Sequence, residues 1–227
     1  MSSLAEAIAA LESGRFVMVH DSSSRENEID MVVAAERITP QHIATMRTEA
    51  GGLICLAVAN EIAAKLGLPY MHDMMRSLGR ENPAFLKLVE GRAAYGDMPS
   101  FSISLNHRET FTGITDWDRA LTISKMAAVC RNIHSGGVQD FERNFRSPGH
   151  VPILIASKGL LSERLGHTEL CIHLAKLANI VPAVAICEMM DSTTYRALSI
   201  DKALEYSRKA GIPMVEASQL KASSRTA

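Results

Sequence analysis

Short apolar runs alternating with stretches of helical spacing constrain this chain more than any other feature. Phe16 to His20, Ile29 to Ala35, Leu53 to Val58, Val151 to Ala156 and Ala183 to Cys187 read as strands. Phe101 to Leu105 joins them by alternation. Between them lie helix signals. Leu4, Ile8 and Leu11 share one face, with Ser2 or Ser3 to cap that helix and Gly14 to end it. Thr39-Pro40 opens a helix that should stop at Gly51-Gly52. Further helices are expected over Leu121 to Asn132, from Thr168 to Leu177, and from the Ser199 cap to Lys209. Residues 59–100, broken by Pro69, Pro83 and Pro99, read as short helices and loops; Thr110 to Asp118 reads as a polar loop. Ser147-Pro148-Gly149 is a turn signal, and Ser218 to Ala227 reads as a frayed tail. Strands and helices intermix without repeat or linker. The expectation is one α+β domain over residues 1–227, a mixed sheet with helices packed on it in a three-layer α/β/α-like arrangement.

Composition narrows the function classes. Hydrophobic residues make up 47% of the chain, enough for a sizeable core, and the net charge is −1. That balance gives no bulk field to draw nucleic acid or acidic lipid, so any anionic ligand must be held by local groups. No apolar run approaches the roughly 18–20 residues that span a bilayer. The acidic, amphipathic Met1 to Ala10 does not read as a signal peptide. Cys55, Cys130, Cys171 and Cys187 form no CxxC pair and sit in apolar settings. Buried free thiols in a reducing cytoplasm are expected.

The chemistry-bearing residues cluster. Asp21 to Asp30 carries Asp21, Arg25, Glu26, Glu28 and Asp30 between two strands. Glu26, Glu28 and Asp30 alternate, so a strand beginning early would put them on one side. Carboxylates so placed repel unless a cation sits among them, and hard oxygen ligands favour Mg²⁺ or Mn²⁺. Arg164-Leu165-Gly166-His167-Thr168-Glu169 precedes an amphipathic helix. Thr168 can cap it, Gly166 permits close backbone approach, and the free N–H groups with Arg164 suit a phosphate. His150 follows the 147–149 turn and Glu188 ends an apolar run; both can move protons. Read singly, each element also suits a solvated loop, a capped helix or a packed histidine.

Their order is more specific. Arg25-Glu26-Asn27-Glu28-Ile29-Asp30, then 111–123, Ser147-Pro148-Gly149-His150-Val151, 164–169 and Ile186 to Met190 together resemble the 3,4-dihydroxy-2-butanone 4-phosphate synthase family from about Leu4 to Met190. The wording of 106–116 is similar to its archaeal branch. The resemblance implies a monofunctional lyase of riboflavin biosynthesis that takes D-ribulose 5-phosphate to L-3,4-dihydroxy-2-butanone 4-phosphate and formate. It implies Glu26 and His167 as ligands of Mg²⁺ (or Mn²⁺), two ions per site. Arg25, Glu26, Asp30, Arg164, Leu165, Gly166, His167, Thr168 and Glu188 become substrate contacts, and His150 with Glu188 the catalytic pair. Asp21, Glu28, Cys55, Thr112 and Asp118 become further pocket positions. It also implies a cytoplasmic homodimer with sites near the subunit interface. Many members carry glycine or threonine where this chain has Ile29. A β-branched residue there disfavours positive φ but tolerates a strand conformation. Two rivals are a threonylcarbamoyl-AMP synthase-like enzyme, which the charge balance disfavours, and a silent phosphosugar-binding scaffold, which would lack the carboxylates.

Overall fold

The computed structural model describes residues 1–224. In chain order the elements are α1 (Leu4–Glu12), β1 (Val17–His20), β2 (Ile29–Ala34), α2 (Pro40–Thr45), β3 (Cys55–Val58), α3 (Asn60–Lys65), α4 (Met71–Leu78), α5 (Pro83–Leu88) and β4 (Phe101–His107). Then come α6 (Asp116–Arg131), α7 (Gly137–Asn144), β5 (Phe145–Ile155), α8 (His167–Leu177), β6 (Ala183–Glu188), β7 (Met190–Asp191), β8 (Arg196–Ala197), α9 (Ile200–Ala210), β9 (Met214–Glu216) and α10 (Ala217–Ser223).

A seven-stranded mixed sheet runs β4-β5-β3-β6-β2-β1-β9. Pairs β3–β5 and β1–β9 are parallel; the rest are antiparallel. Strands β1, β2 and β3 are buried along their whole length. That is why their sequences are continuous apolar runs, not alternating ones. Helix α8 lies across β6, β3, β1 and β2 with α1 and α10 beside it. The other face is covered by α2, the π-helical turn Met46–Ala50 that continues it, and α6. The α+β architecture, a mixed sheet with helices on both faces, is as expected.

The local expectations fare unevenly. Ser3 caps α1 in a reciprocal capping box, Thr39 caps α2, and Ser199 caps α9. Ile29 lies fully buried in β2, in the strand conformation that its branched side chain tolerates. The left-handed position of this loop is Asn27 instead, at φ 55°.

Several readings are corrected. Helix α6 starts at Asp116 because Thr115 caps it and acidic side chains favour its first turn, so the polar loop ends sooner than read. Residues 147–149 do not reverse the chain. They lie inside β5, with a cis Ser147-Pro148 bond, opposite β4 where the pairing register slips. Residues 217–223 form α10, anchored by fully buried Leu220 and a Glu216–Gln219 capping box, not a frayed tail; residues 225–227 lie outside the described residues. Thr168 sits within the first turn of α8, and Gly166 holds the cap position.

Candidate functional site

The acidic loop is organised by Asp21. Its carboxylate accepts from the backbone N–H of Glu26 (2.9 Å) and Glu28 (3.0 Å), and Arg25 Nη1 lies 3.4 Å away. The Asn27 side chain meets His20 Nε2 at 3.2 Å, which steadies the left-handed residue. Chain entry into β2 is thereby fixed, and Asp30 pairs in register with Glu188 on β6. A cavity of about 110 Å³ forms where these strand ends meet the start of α8. Glu26, Glu28, Asp30, Tyr95, Arg164, His167, Thr168, Ile186 and Glu188 line it, with Pro99, Ser100, Phe101 and Leu154. A larger, mainly apolar cavity of about 420 Å³ lies against α4. Its lining holds none of the residues of the acidic loop or of 164–169, so the candidate site is the smaller one.

His167 is the hub. Its Nδ1 lies 3.1 Å from Glu26 Oε2, its Nε2 lies 3.1 Å from the Glu28 carbonyl, and Asp30 Oδ1 is 3.7 Å from Nε2. Burial would lower the imidazole pKa, but Asp30 and the bond to Glu26 outweigh it and hold it at about 9. Burial pushes Asp30 up to about 7, helped by Glu188, Glu26 and Glu28 and opposed by His167. Glu26 goes the other way. Its burial is overcome by His167, the Tyr95 phenol and Arg25, leaving it at about 2. Asp21, Glu26 and His167 offer ligand atoms within 4.8 Å of one another. Asp30 Oδ1 is buried without a hydrogen-bond partner.

Two guanidiniums flank this cluster. Arg25 contacts Glu26 Oε2 at 2.6 Å and lies over the Tyr95 ring at 4.6 Å. Arg164 Nη1 donates to the fully buried Glu169, which also accepts from Ser157 N–H at 2.9 Å. Arg164 Nε is buried with no hydrogen-bond partner. Gly166 is required between them: a Cβ there would sit 2.1 Å from Arg164 Nη1 and 2.9 Å from Arg25 Nη2. Glu188, half-buried, accepts from the Leu53 N–H at 2.7 Å, and a Cβ on Gly52 would strike that carboxylate oxygen at 2.4 Å.

Not every expected residue joins this cavity. His150 is exposed within β5, separated from β6 by β3. Its Nδ1 lies 3.1 Å from Asn106 Nδ2, and its N–H donates to Asn106 Oδ1. The strand that should have ended beside it runs through it, so His150 and Glu188 are neither paired nor alike in burial. Asp118 accepts from the Phe111 and Gly113 N–H groups and from Thr112, and orders that loop away from the cavity. Cys55 is fully buried in β3, and burial with Glu188 and Asp30 nearby pushes its thiol well up. Leu165 does not line the cavity. Sequence reasoning missed Tyr95 and Asp97, and gave Glu169 no role although it lies in the 164–169 motif. The first two lie in an aperiodic stretch, and their only signal is an aromatic and an acid flanking Gly96.

Fold and site together define an α+β protein with an acidic, histidine-centred pocket under two arginines, suited to a divalent cation and an anionic small molecule. The family model of 3,4-dihydroxy-2-butanone 4-phosphate synthase matches residues 5–223, and the chain belongs to that family. It is 45% identical over 212 residues to the 3,4-dihydroxy-2-butanone 4-phosphate synthase of Archaeoglobus fulgidus, covering 93% of this chain and 89% of that protein. It is also 45% identical over 215 residues to that of Methanothermobacter thermautotrophicus, covering 95% and 93%. Both relatives accord with the archaeal-like wording of 106–116. A solved 3,4-dihydroxy-2-butanone 4-phosphate synthase in complex with two magnesium ions superposes with a TM-score of 0.77 at 28% identity, covering all of this chain and 98% of that one.

Proposed function

We propose that the chain converts D-ribulose 5-phosphate to L-3,4-dihydroxy-2-butanone 4-phosphate and formate, a step of riboflavin biosynthesis. The observation that carries this reading is the Glu26–His167 contact, with Asp30 and Glu188 beside it and Arg25 and Arg164 at its edge. The donor set fits a hard divalent cation: carboxylate oxygens around one imidazole, with a buried oxygen on Asp30 lacking a partner. Glu26 and His167 would hold Mg²⁺ or Mn²⁺, as one or two ions, and Asp21 is near enough to support them. When bound, such an ion would supply Lewis acidity toward the sugar's ketone and neighbouring hydroxyl oxygens, the chemistry an enediolate route would need.

The chain's own groups do the rest. Arg164 Nε, buried, ion-paired with Asp97 at 3.4 Å but without a hydrogen-bond partner, is a donor suited to phosphate, and Arg25 lies across Gly166 from it. The first-turn N–H groups of α8 add a favourable dipole. Clamping the phosphate lets the carbon skeleton rearrange without drifting. Glu188, anchored by the Leu53 N–H, is the proton-transfer group inside the cavity. His150 is its proposed partner across a subunit boundary. It touches Asn106, and Gly113 packs against Asn106 at the foot of a loop whose Phe111 is 93% exposed. Exposed Ile114 and Trp117 extend that apolar surface. Covering this surface with a second copy would make a homodimer with His150 and Thr112 near the interface. Among the described residues no helix is long and apolar enough to cross a membrane. We place the protein in the cytoplasm, acting on a small sugar phosphate and not on nucleic acid. Glu26→Gln and His167→Ala test the reading. Each should abolish conversion of ribulose 5-phosphate while the protein stays folded, and near-normal turnover in either removes that residue from the metal site.

A further inference from the structure

The cavity is small for its proposed task. Ligand pockets usually hold roughly 300–1,000 Å³, and this one has about 110 Å³. Tyr95, from the stretch between α5 and β4, lines it, and Asp97 from the same stretch lies against the two arginines at its edge. A single carboxylate oxygen, Asp97 Oδ2, accepts from Arg25 Nε at 3.1 Å and Nη2 at 2.9 Å. The same oxygen lies 3.4 Å from Arg164 Nε. Tyr95 lies beneath the Arg25 guanidinium, with its phenol near enough to Glu26 to help hold that carboxylate's pKa down. An anionic oxygen bridging two guanidiniums is what a phosphate oxygen would do there.

We propose that Asp97 is an internal stand-in for the substrate phosphate, so that substrate binds by exchanging phosphate for carboxylate and displacing the 93–98 strap. This rests on the reading of Arg25 and Arg164 as the phosphate-holding pair. The two carboxylates on Arg164 are not equivalent, and the difference assigns their roles. Glu169 is fully buried and also accepts a backbone N–H, so it stays and aims the guanidinium. Asp97 is 32% exposed, whereas the Arg25 and Arg164 side chains are 9% and 15% exposed. The arginines belong to the body of the molecule and the acid to a surface segment. That segment is held lightly, by a turn in which Gly96 N–H meets the Ala93 carbonyl and Ala93 N–H meets the Asp97 carbonyl. The Arg92 side chain also donates to the Gly96 carbonyl. The device keeps two buried cations neutralised when no substrate is bound. It also sets how strongly an anion must bind to enter.

The test uses the full chain and inorganic phosphate as probe, measured by calorimetry for the native protein, Asp97→Asn and Arg164→Ala. The asparagine keeps size and polarity but removes the competing charge. Because that carboxylate is partly exposed, its removal should tighten phosphate binding roughly threefold to tenfold, with a matching fall in KM for ribulose 5-phosphate. In native protein, saturating phosphate should speed hydrogen exchange at the Ala93 and Gly96 amides as the strap leaves. Unchanged or weaker phosphate binding in Asp97→Asn, or slower exchange on adding phosphate, overturns the proposal. If Arg164→Ala still weakens phosphate binding, only the stand-in role fails. If that variant binds phosphate like native protein, the phosphate assignment of the arginines fails with it.

Discussion

Metal binding at this site should be strongly pH-dependent, and the structure gives the slope. A metal ion needs neutral imidazole and ionised carboxylate. His167 is held at about 9, with Asp30 and Glu26 outweighing its burial. At pH 7 the imidazole is therefore mostly protonated, which weakens metal affinity on the order of 100-fold. Affinity for Mg²⁺ should rise about tenfold per pH unit from 7 to 9 and level off above. Asp30, at about 7 through burial, adds a second proton to expel at lower pH, so the slope steepens below neutrality. Glu26, at about 2, contributes none. Calorimetry of Mg²⁺ binding in buffers of different ionisation enthalpy counts the released protons. About one per site is expected at pH 8, approaching two below pH 6, and His167→Ala should remove the first. The same shifts fix the stability of the metal-free protein. His167's raised pKa stabilises the fold fully below pH 6.5, and that contribution is lost as pH climbs through about 9. The raised pKa of Asp30 costs stability as pH climbs from 3.8 through about 7. Melting temperature without metal should thus fall from pH 5 to 9. Flat Mg²⁺ affinity between pH 7 and 9 with no proton released would refute the reasoning.

Other predictions follow from the geometry. Arg164→Ala removes a charge-assisted phosphate contact worth about 1.5–3 kcal/mol, so ribulose 5-phosphate should bind roughly 10–100-fold more weakly. Non-phosphorylated ribulose should be far less affected, and equal losses would exclude the phosphate contact. His150→Asn and Glu188→Gln should each slow turnover by about 10²–10⁴-fold with substrate affinity and melting temperature little changed; normal turnover of weakly bound substrate would make them anchors instead. Replacing exposed Trp117 by Glu should shift the protein toward monomer in sedimentation and lower activity, and an unchanged mass would place the interface elsewhere.

The sheet was legible because β1, β2, β3 and β6 are buried on both faces, which leaves continuous apolar runs in the chain. Strand β9 and helix α10 were not, since three residues show no period and α10 is held by Leu220 and by contacts to the N-terminus, such as Gln219 to the Ser2 carbonyl. At the site, the alternation of Glu26, Glu28 and Asp30 announced a shared side, and all three line the cavity. The arrival of Tyr95 and Asp97 was hidden because they reach Arg25, Glu26 and Arg164 from a stretch without periodicity. His150 misled for a related reason. Ser147-Pro148-Gly149 looks like a turn, yet it is a bulge within β5, between Arg146 and Val151, which pair with the adjacent Asn106 and Leu105 of β4.

This pocket is proposed to convert ribulose 5-phosphate with the help of a divalent cation. Formate release from D-ribulose 5-phosphate by purified protein, assayed with Mg²⁺ and again after EDTA, tests it most directly. The account predicts stoichiometric formate and 3,4-dihydroxy-2-butanone 4-phosphate with Mg²⁺, and neither after chelation. Ribulose 5-phosphate left unconverted by folded, Mg²⁺-loaded protein, or formate release that EDTA does not touch, would contradict it.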